Sequence, residues 1–125
     1  MQQQHYNRGT KIGNALLTQI RVGRSFLNQH AFAINLTDSP KCQCNLASES
    51  PYHYLLECEL YTEERRTLLG VVENFLPKFN TYTKKRKLDI ILSGYDQDNI
   101  DMFRTNVLLQ IAVQKYIIKT KRFDI

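Results

Sequence analysis

The residues of this chain with the clearest chemical potential are three cysteines and a histidine that fall within seventeen positions. They are Cys42, Cys44, His53 and Cys58, they follow the spacing C-x-C-x8-H-x4-C, and they include every cysteine of the chain. Three thiolates and one imidazole fill the four-coordinate shell of a structural Zn²⁺ site and leave no position for water or substrate. The pattern therefore predicts a zinc site that folds a small segment and does not catalyse.

Two other interpretations of the cysteines stay open. The three thiols could be buried or free and lie near a surface histidine by chance, since C-x-C is a less common leading pair than C-x2-C. A disulfide is the weaker alternative, because three is an odd number and the neighbouring segments suggest an intracellular protein.

Length and composition set the outer limits. A chain of 125 residues with a hydrophobic fraction of 42% fits one compact domain. The polar first residues do not form a secretion signal, and no run of 18 apolar residues occurs. We therefore expect an intracellular protein, nuclear or cytoplasmic, that does not associate with a membrane.

The net charge of +5 is unevenly distributed. Residues 1–37 carry cations and no acid, residues 38–76 are acidic, and residues 77–88 are again basic. Basic segments on both sides of an acidic middle could follow a polyanion backbone, although solvated surface charge explains them equally well. For the second run, a solvated loop or a nuclear-import signal is a further alternative. The candidate contacts to nucleic acid are Arg8, Lys11, Arg21, Arg24, Lys84, Lys85, Arg86 and Lys87.

The first half of the chain shows helical periodicity around the cysteine cluster. A helix is predicted over residues 14–30, with Asn14 as a cap and Gly23 as a point where it could break. Ser50 and Pro51 are typical of the first residues of a helix that carries His53. Because His53 and Cys58 are five residues apart, about 140° from a common face of an ideal helix, Cys58 must lie where that helix ends or distorts.

The second half predicts three further helices. The first opens at Thr62 and runs to Pro77, a polar connection covers residues 78–87, and a short helix over 88–92 ends at Gly94. Asp98 and Asn99 then cap the longest helix, which runs roughly over 100–121 and is apolar enough to need cover on more than one side. Its apolar residues are Ile100, Phe103, Val107, Leu108, Ile111, Ala112, Tyr116 and Ile118.

The predicted fold is mainly α. It is a small helical domain of about five helices with a zinc-stapled Cys3His loop. One domain covers residues 1–125, with an N-terminal helical segment over 1–38, the zinc motif over 39–60 and C-terminal helices over 61–125.

Several spaced motifs together resemble a known family. They are R-x-G-x-S-x-L-N-x-H at residues 21–30, D-S-P-x-C at 38–42, the second cysteine at 44, and E-x3-H-x-L-L-E-C at 49–58. In this order they resemble the C-terminal segment of non-LTR (LINE-type) retrotransposon polyproteins, over about half of the chain, residues 15–69. Family members have one to three residues inside the first cysteine pair, and this chain has the shortest spacing.

The resemblance implies a non-catalytic zinc-binding tail of a reverse transcriptase polyprotein, as a fragment or a standalone copy. Its implied partners are RNA or single-stranded DNA, bound weakly and without sequence preference, and upstream polymerase domains. The alternative is a helical protein-interaction module that zinc stabilises and that binds no nucleic acid. Salt dependence would separate the two, because phosphate binding weakens steeply as salt rises.

Catalytic interpretations have little support from the sequence. Residues 95–98 (Y-D-Q-D) are superficially similar to the Y-x-D-D signature of reverse transcriptases, but Gln97 separates the acids and the run precedes a helix. A Cys58 nucleophile with His53 as its base would need a third orienting group, and both residues already serve as ligands. No strand-like alternation offers the carboxylates of a ribonuclease H site. We therefore expect that this chain is not an enzyme.

Overall fold

The computed structural model describes residues 2–96 and 99–123, with the side chains of residues 11–96 and 99–123. Within these ranges the prediction of a mainly helical fold is confirmed, and the extended pairing is limited to an isolated bridge between Lys41 and Ser48. In the same ranges, no helix has both the length and the apolar character to cross a membrane. The α-helices are α1 Gln2–Arg21, α2 Asn28–Ala33, α3 Thr62–Phe75, α4 Lys84–Ser93 and α5 Phe103–Thr120.

Helix α5 is the centre of the domain, since α1, α3 and α4 all pack against it. Burial of its inward side chains removes apolar surface from water, which is the main stabilising term for a core of this kind. The core contains Leu17 and Ile20 from α1, Leu68 and Val72 from α3, Ile90 and Ile91 from α4, and Leu109, Val113, Tyr116 and Ile117 from α5.

Helix α1 starts earlier and ends sooner than predicted. Asn14 lies inside it rather than at its start. At Gly13 an added Cβ would lie only 2.8 Å from the Cβ of Gln114, so the glycine allows α1 to approach α5 closely. The helix stops before Gly23, whose φ of +78° breaks the predicted 14–30 helix into α1 and α2.

The basic run at 84–87 was predicted as part of a connection and is instead the first turn of α4. The Thr83 side chain causes this, because its Oγ1 accepts a hydrogen bond from the backbone N–H of Arg86 (3.2 Å) and so caps the helix. Gly94, with a φ of +95°, ends α4 at the predicted position.

The last helix differs from its prediction in three respects. The Asn99 side chain accepts from the N–H of Asp101, but it caps a 3₁₀ turn, Ile100–Met102, that leads into α5; Asp98 lies outside the described residues. With 18 residues, α5 is shorter than the 20-residue α1. The cover that was expected on more than one side of this helix is incomplete, because several of its apolar residues are exposed: Ile100, Phe103, Val107, Leu108 and Ile118.

Candidate metal centre

The segment that carries His53 and Cys58 is a distorted helix. The Ser50 hydroxyl accepts a hydrogen bond from the His53 N–H (3.1 Å), which confirms the predicted helix start. The chain then forms a π-helical turn, His53–Glu57, closed by a 2.7 Å bond from the Cys58 N–H to the His53 carbonyl. This wider i→i+5 turn brings Cys58 below His53, so the predicted distortion is confirmed and has a specific form.

The other two cysteines lie on a tight loop that compensates for their short spacing. The Cys42 N–H donates to the Ala47 carbonyl (2.9 Å), and the Asn45 N–H donates to the Cys42 carbonyl (3.0 Å). Asn45 adopts a left-handed φ of +64°, a conformation that asparagine tolerates better than most residues. The loop turns so sharply between Cys42 and Cys44 that both sulfurs point to the same centre.

The four side chains predicted as ligands converge. One ligand atom from each of Cys42, Cys44, His53 and Cys58 lies within 4.8 Å of the others. The Cys42 and Cys58 sulfurs are 3.6 Å apart, and the Cys44 sulfur is 3.3 Å from Nε2 of His53. Tetrahedral ligands about 2.3 Å from a metal would be about 3.8 Å apart. The cysteines are free, as a disulfide would need about 2.05 Å between sulfurs. The group could hold a metal ion.

The three thiols differ in acidity because their surroundings differ. Burial raises the pKa of Cys58 to about 12, and burial also raises the pKa of Cys42. For Cys44, the hydrogen bond from the Leu46 N–H lowers the pKa to about 7. Cys42 and Cys58 therefore keep their protons near neutral pH unless a bound cation stabilises the thiolates.

A carboxylate outside the cluster orients the histidine. The Nδ1 atom of His53 lies 3.1 Å from Oε1 of Glu57. An ionised carboxylate only accepts, so Nδ1 carries the proton and Nε2 presents its lone pair to the cysteines. The His53 hydrogen bond also lowers the pKa of Glu57, and the nearby Lys84 ammonium, 3.7 Å from Oε2, adds to this. Carboxylate–histidine pairs of this type fix the ring orientation and strengthen the ligand in metal sites.

A second carboxylate holds the metal loop to the rest of the protein. The buried Glu49 side chain binds the Arg122 guanidinium through both oxygens, and its Oε1 accepts from the Asn28 N–H (2.7 Å). The Asn28 amide in turn donates to the Lys41 carbonyl (2.6 Å). The sequence analysis did not predict a role for Glu57 in orienting His53 or for Glu49 in anchoring the metal loop. A signal was available, since both are fixed positions of the E-x3-H-x-L-L-E-C pattern.

The motif over residues 21–30 forms a joint between α1 and α2. The Ser25 hydroxyl lies 2.7 Å from Nδ1 of His30 and accepts from the Leu27 N–H (3.2 Å). Ser25 and Leu27 are buried, whereas Phe26 is exposed. The side chains of this motif therefore support the fold of the joint.

Among the candidate nucleic-acid contacts of the N-terminal segment, Arg21 already binds groups within the domain. Arg21 donates from Nε to the Leu92 carbonyl (2.7 Å) and from Nη2 to Gln110 (3.0 Å), so it joins α1 to α4 and α5. Lys11 and Arg24 are exposed. The side chain of Arg8 lies outside the described side chains.

The cations of the second basic run, residues 84–87, lie together on the first turn of α4. Lys84, Lys85 and Arg86 are exposed on the first turn of α4, and Lys87 is half-buried. Lys84 lies over the Tyr52 ring, and Arg86 lies 4.6 Å from the centroid of Tyr82. Lys84 also contacts Glu57, which links this basic turn to the metal centre.

Comparison of the chain with protein-family models, with curated proteins and with solved structures gave no significant match. The resemblance to retrotransposon polyproteins thus stays a prediction from the motifs.

Proposed function

We propose that this domain is a non-catalytic, zinc-stabilised module that binds RNA or single-stranded DNA through the first turn of α4. In this proposal it corresponds to the C-terminal tail of a non-LTR retrotransposon reverse transcriptase polyprotein. The zinc part rests on the donor set. Three sulfurs and one imidazole nitrogen complete a tetrahedral shell, and this combination of soft and borderline donors suits Zn²⁺ in a structural site.

The single observation that supports nucleic-acid binding best is the placement of Lys84, Lys85, Arg86 and Lys87. These four cations occupy the N-terminal turn of a helix, where the macrodipole and unpaired N–H groups already create positive potential. Cations there are unfavourable for the helix dipole, an effect that the Lys84 contacts with Glu57 and Tyr52 offset in part. A bound phosphate would offset it further, because a helix N-terminus with added cations attracts anions strongly.

The metal centre would position this basic turn. Glu57 accepts from His53 through Oε1 and contacts the Lys84 ammonium through Oε2. The Lys84 contact with Tyr52 lies on the same side of the turn. Zinc binding would therefore fix the orientation of the first cation of the run. Such contacts neutralise phosphates without reading base edges, which favours weak binding of little sequence preference.

Two measurements on the full chain test the proposal. Elemental analysis of protein purified without chelator should give one zinc per chain. Fluorescence anisotropy with a labelled 20-nucleotide oligouridine should show binding that weakens steeply with salt. Replacement of Lys84, Lys85, Arg86 and Lys87 by Gln should weaken it and flatten the logarithmic salt slope by about 0.7 for each phosphate that the variant no longer neutralises.

A matched control removes the same charge elsewhere. Lys78, Arg104, Lys115 and Lys119 are exposed, and their replacement by Gln should change the affinity much less. An unrelated oligonucleotide should give the same ranking of variants. Two results would contradict the assignment to α4. The wild type could fail to bind the oligonucleotide at low salt, or the control variant could lose as much affinity as the α4 variant.

A further inference from the structure

Helix α5 has a second apolar face that the core of this domain does not use. Its inward face is made by Leu109, Val113 and Ile117. On the side next to α3, Leu108 is 41% exposed and Ile111 is half-buried. Large apolar side chains gathered on one exposed face are typical of a binding surface.

Part of this face forms a groove with α3. The groove has a volume of about 370 Å³ and is lined by apolar side chains spaced three and four residues apart on both helices. On each helix the lining spans eleven residue steps, from 64 to 75 and from 108 to 119, which is about 16 Å or three helical turns. Its apolar lining comes from Leu68, Val71, Phe75, Leu108, Ile111 and Ala112.

Charge is concentrated at one end of the groove. Lys115 and Lys119 line it there, together with the acid Glu64. Arg65, next to Glu64, donates to the Tyr116 hydroxyl (3.1 Å), which places the start of α3 beside this end of α5. The opposite end, at Phe75 and Leu108, is apolar.

We propose that the groove between α3 and α5 binds an amphipathic helix of a partner protein, with acidic residues beside Lys115 and Lys119. A helix with apolar anchors at i, i+4 and i+7 spans about 10 Å and fits a groove of three turns. Lys115 and Lys119 outnumber Glu64 at this end, which gives the site its preference for acids and fixes the direction of the bound helix.

A second copy of this chain suits the surface less well. Antiparallel pairing of two α5 helices through the outer face would bring Arg104 of one copy towards Lys119 of the other. Parallel pairing would bring the two Lys115 side chains together. Like charges at close range oppose both arrangements.

The test uses the zinc-loaded full chain and a labelled synthetic helical peptide, with leucines at i, i+4 and i+7 flanked by glutamates. Amide shifts in NMR titrations should move along α3 and α5. Leu108→Asp, at a partly exposed position, should weaken binding by about tenfold or more, as should the double variant Lys115→Glu, Lys119→Glu. Lys78→Glu, which changes an exposed charge outside the groove lining, is the matched control and should bind as the wild type does.

A charge-reversed peptide, with lysines in place of the glutamates, should prefer the double variant to the wild type. Equal binding of both peptides by the wild type, or no binding of the acidic peptide at about 1 mM, would overturn the proposal. Sedimentation as a dimer that Leu108→Asp dissociates would also overturn it, in favour of a second copy. Displacement of the peptide by decanoate at lower concentrations than the peptide itself requires would instead indicate a lipid site.

Discussion

Arg122 binds Glu49 through both carboxylate oxygens, with Nη2 2.6 Å from Oε1 and Nε 2.7 Å from Oε2. Glu49 is 1% exposed, and the same guanidinium donates to the Phe26 carbonyl (3.0 Å). The Glu49 carboxylate raises the pKa of Arg122, in keeping with a tightly held pair. One side chain beyond the end of α5 thus joins the metal loop and the segment between α1 and α2.

Arg122→Ala should destabilise the fold. It leaves a buried carboxylate with only the Asn28 N–H as a described partner, and loss of one member of a buried ion pair costs about 3–5 kcal/mol. Urea unfolding followed by circular dichroism measures the change. Arg66→Ala removes an exposed pair with Glu63 and is the control, with an expected change of less than about 1 kcal/mol. Equal effects of the two variants would show that the Glu49 pair is not important for stability.

Glu57→Gln should weaken zinc binding while the protein still folds. The glutamine keeps the size of the side chain but removes the charge that orients His53, and loss of such partners typically costs about 10–100-fold in metal affinity. Competition with a chromophoric chelator gives the affinity. Glu59→Gln, an exposed acid two residues away, should match the wild type. Unchanged affinity in Glu57→Gln would remove this carboxylate from the metal centre.

Chelation should unfold the metal loop before the helices. Apart from Tyr54 and Leu55, which belong to the helical core, residues 39–60 lie outside the core cluster, so metal ligation should supply much of their order. The core cluster that α5 forms with α1 and α3 does not include the four ligands. In hydrogen exchange followed by mass spectrometry, we expect faster exchange across 39–60 and retained protection in α5. Identical exchange across 39–60 with and without chelator would refute the prediction.

Zinc uptake at pH 7 should release about two to three protons per ion from the thiols. Burial raises the pKa of Cys42 and Cys58, so both hold their protons at this pH, while Cys44 has a pKa of about 7 and is partly ionised. Protons therefore compete with zinc, and affinity should fall as pH falls. Calorimetry in two buffers of different ionisation enthalpy counts the protons. A release below one proton per zinc would contradict the assignment of thiolate ligands.

The ligand set could be predicted from the sequence because its members are close along the chain and chemically distinctive. A cluster of Cys42, Cys44, His53 and Cys58 leaves few other uses for those side chains. The five-residue separation of His53 and Cys58 also predicted a helix distortion, because a regular α-helix cannot place both side chains on one face.

Other features depend on contacts that no local pattern encodes. Glu49 and Arg122 are 73 residues apart, and the local sequence around each gives no sign that the two side chains pair. Helix α1 begins at Gln2 although its first turns lack apolar periodicity, and its close approach to α5 at Gly13 depends on Gln114, far along the chain. The sequence predicted a broadly apolar α5 but not which of its faces is buried, because only packing decides that.

The π turn makes the metal centre sensitive to the number of residues in the chain, and not to side-chain identity alone. Five steps separate His53 and Cys58. An α-helix aligns residues four steps apart on one face, and the π turn accommodates the one additional residue. Deletion of one intervening residue, such as Leu56, would shorten the separation to four, which an ordinary α-helix places on one side. An insertion at the same point would lengthen the separation to six, which neither an α-helix nor a π turn aligns on one side. We therefore expect a one-residue deletion in this segment to preserve the metal centre better than a one-residue insertion.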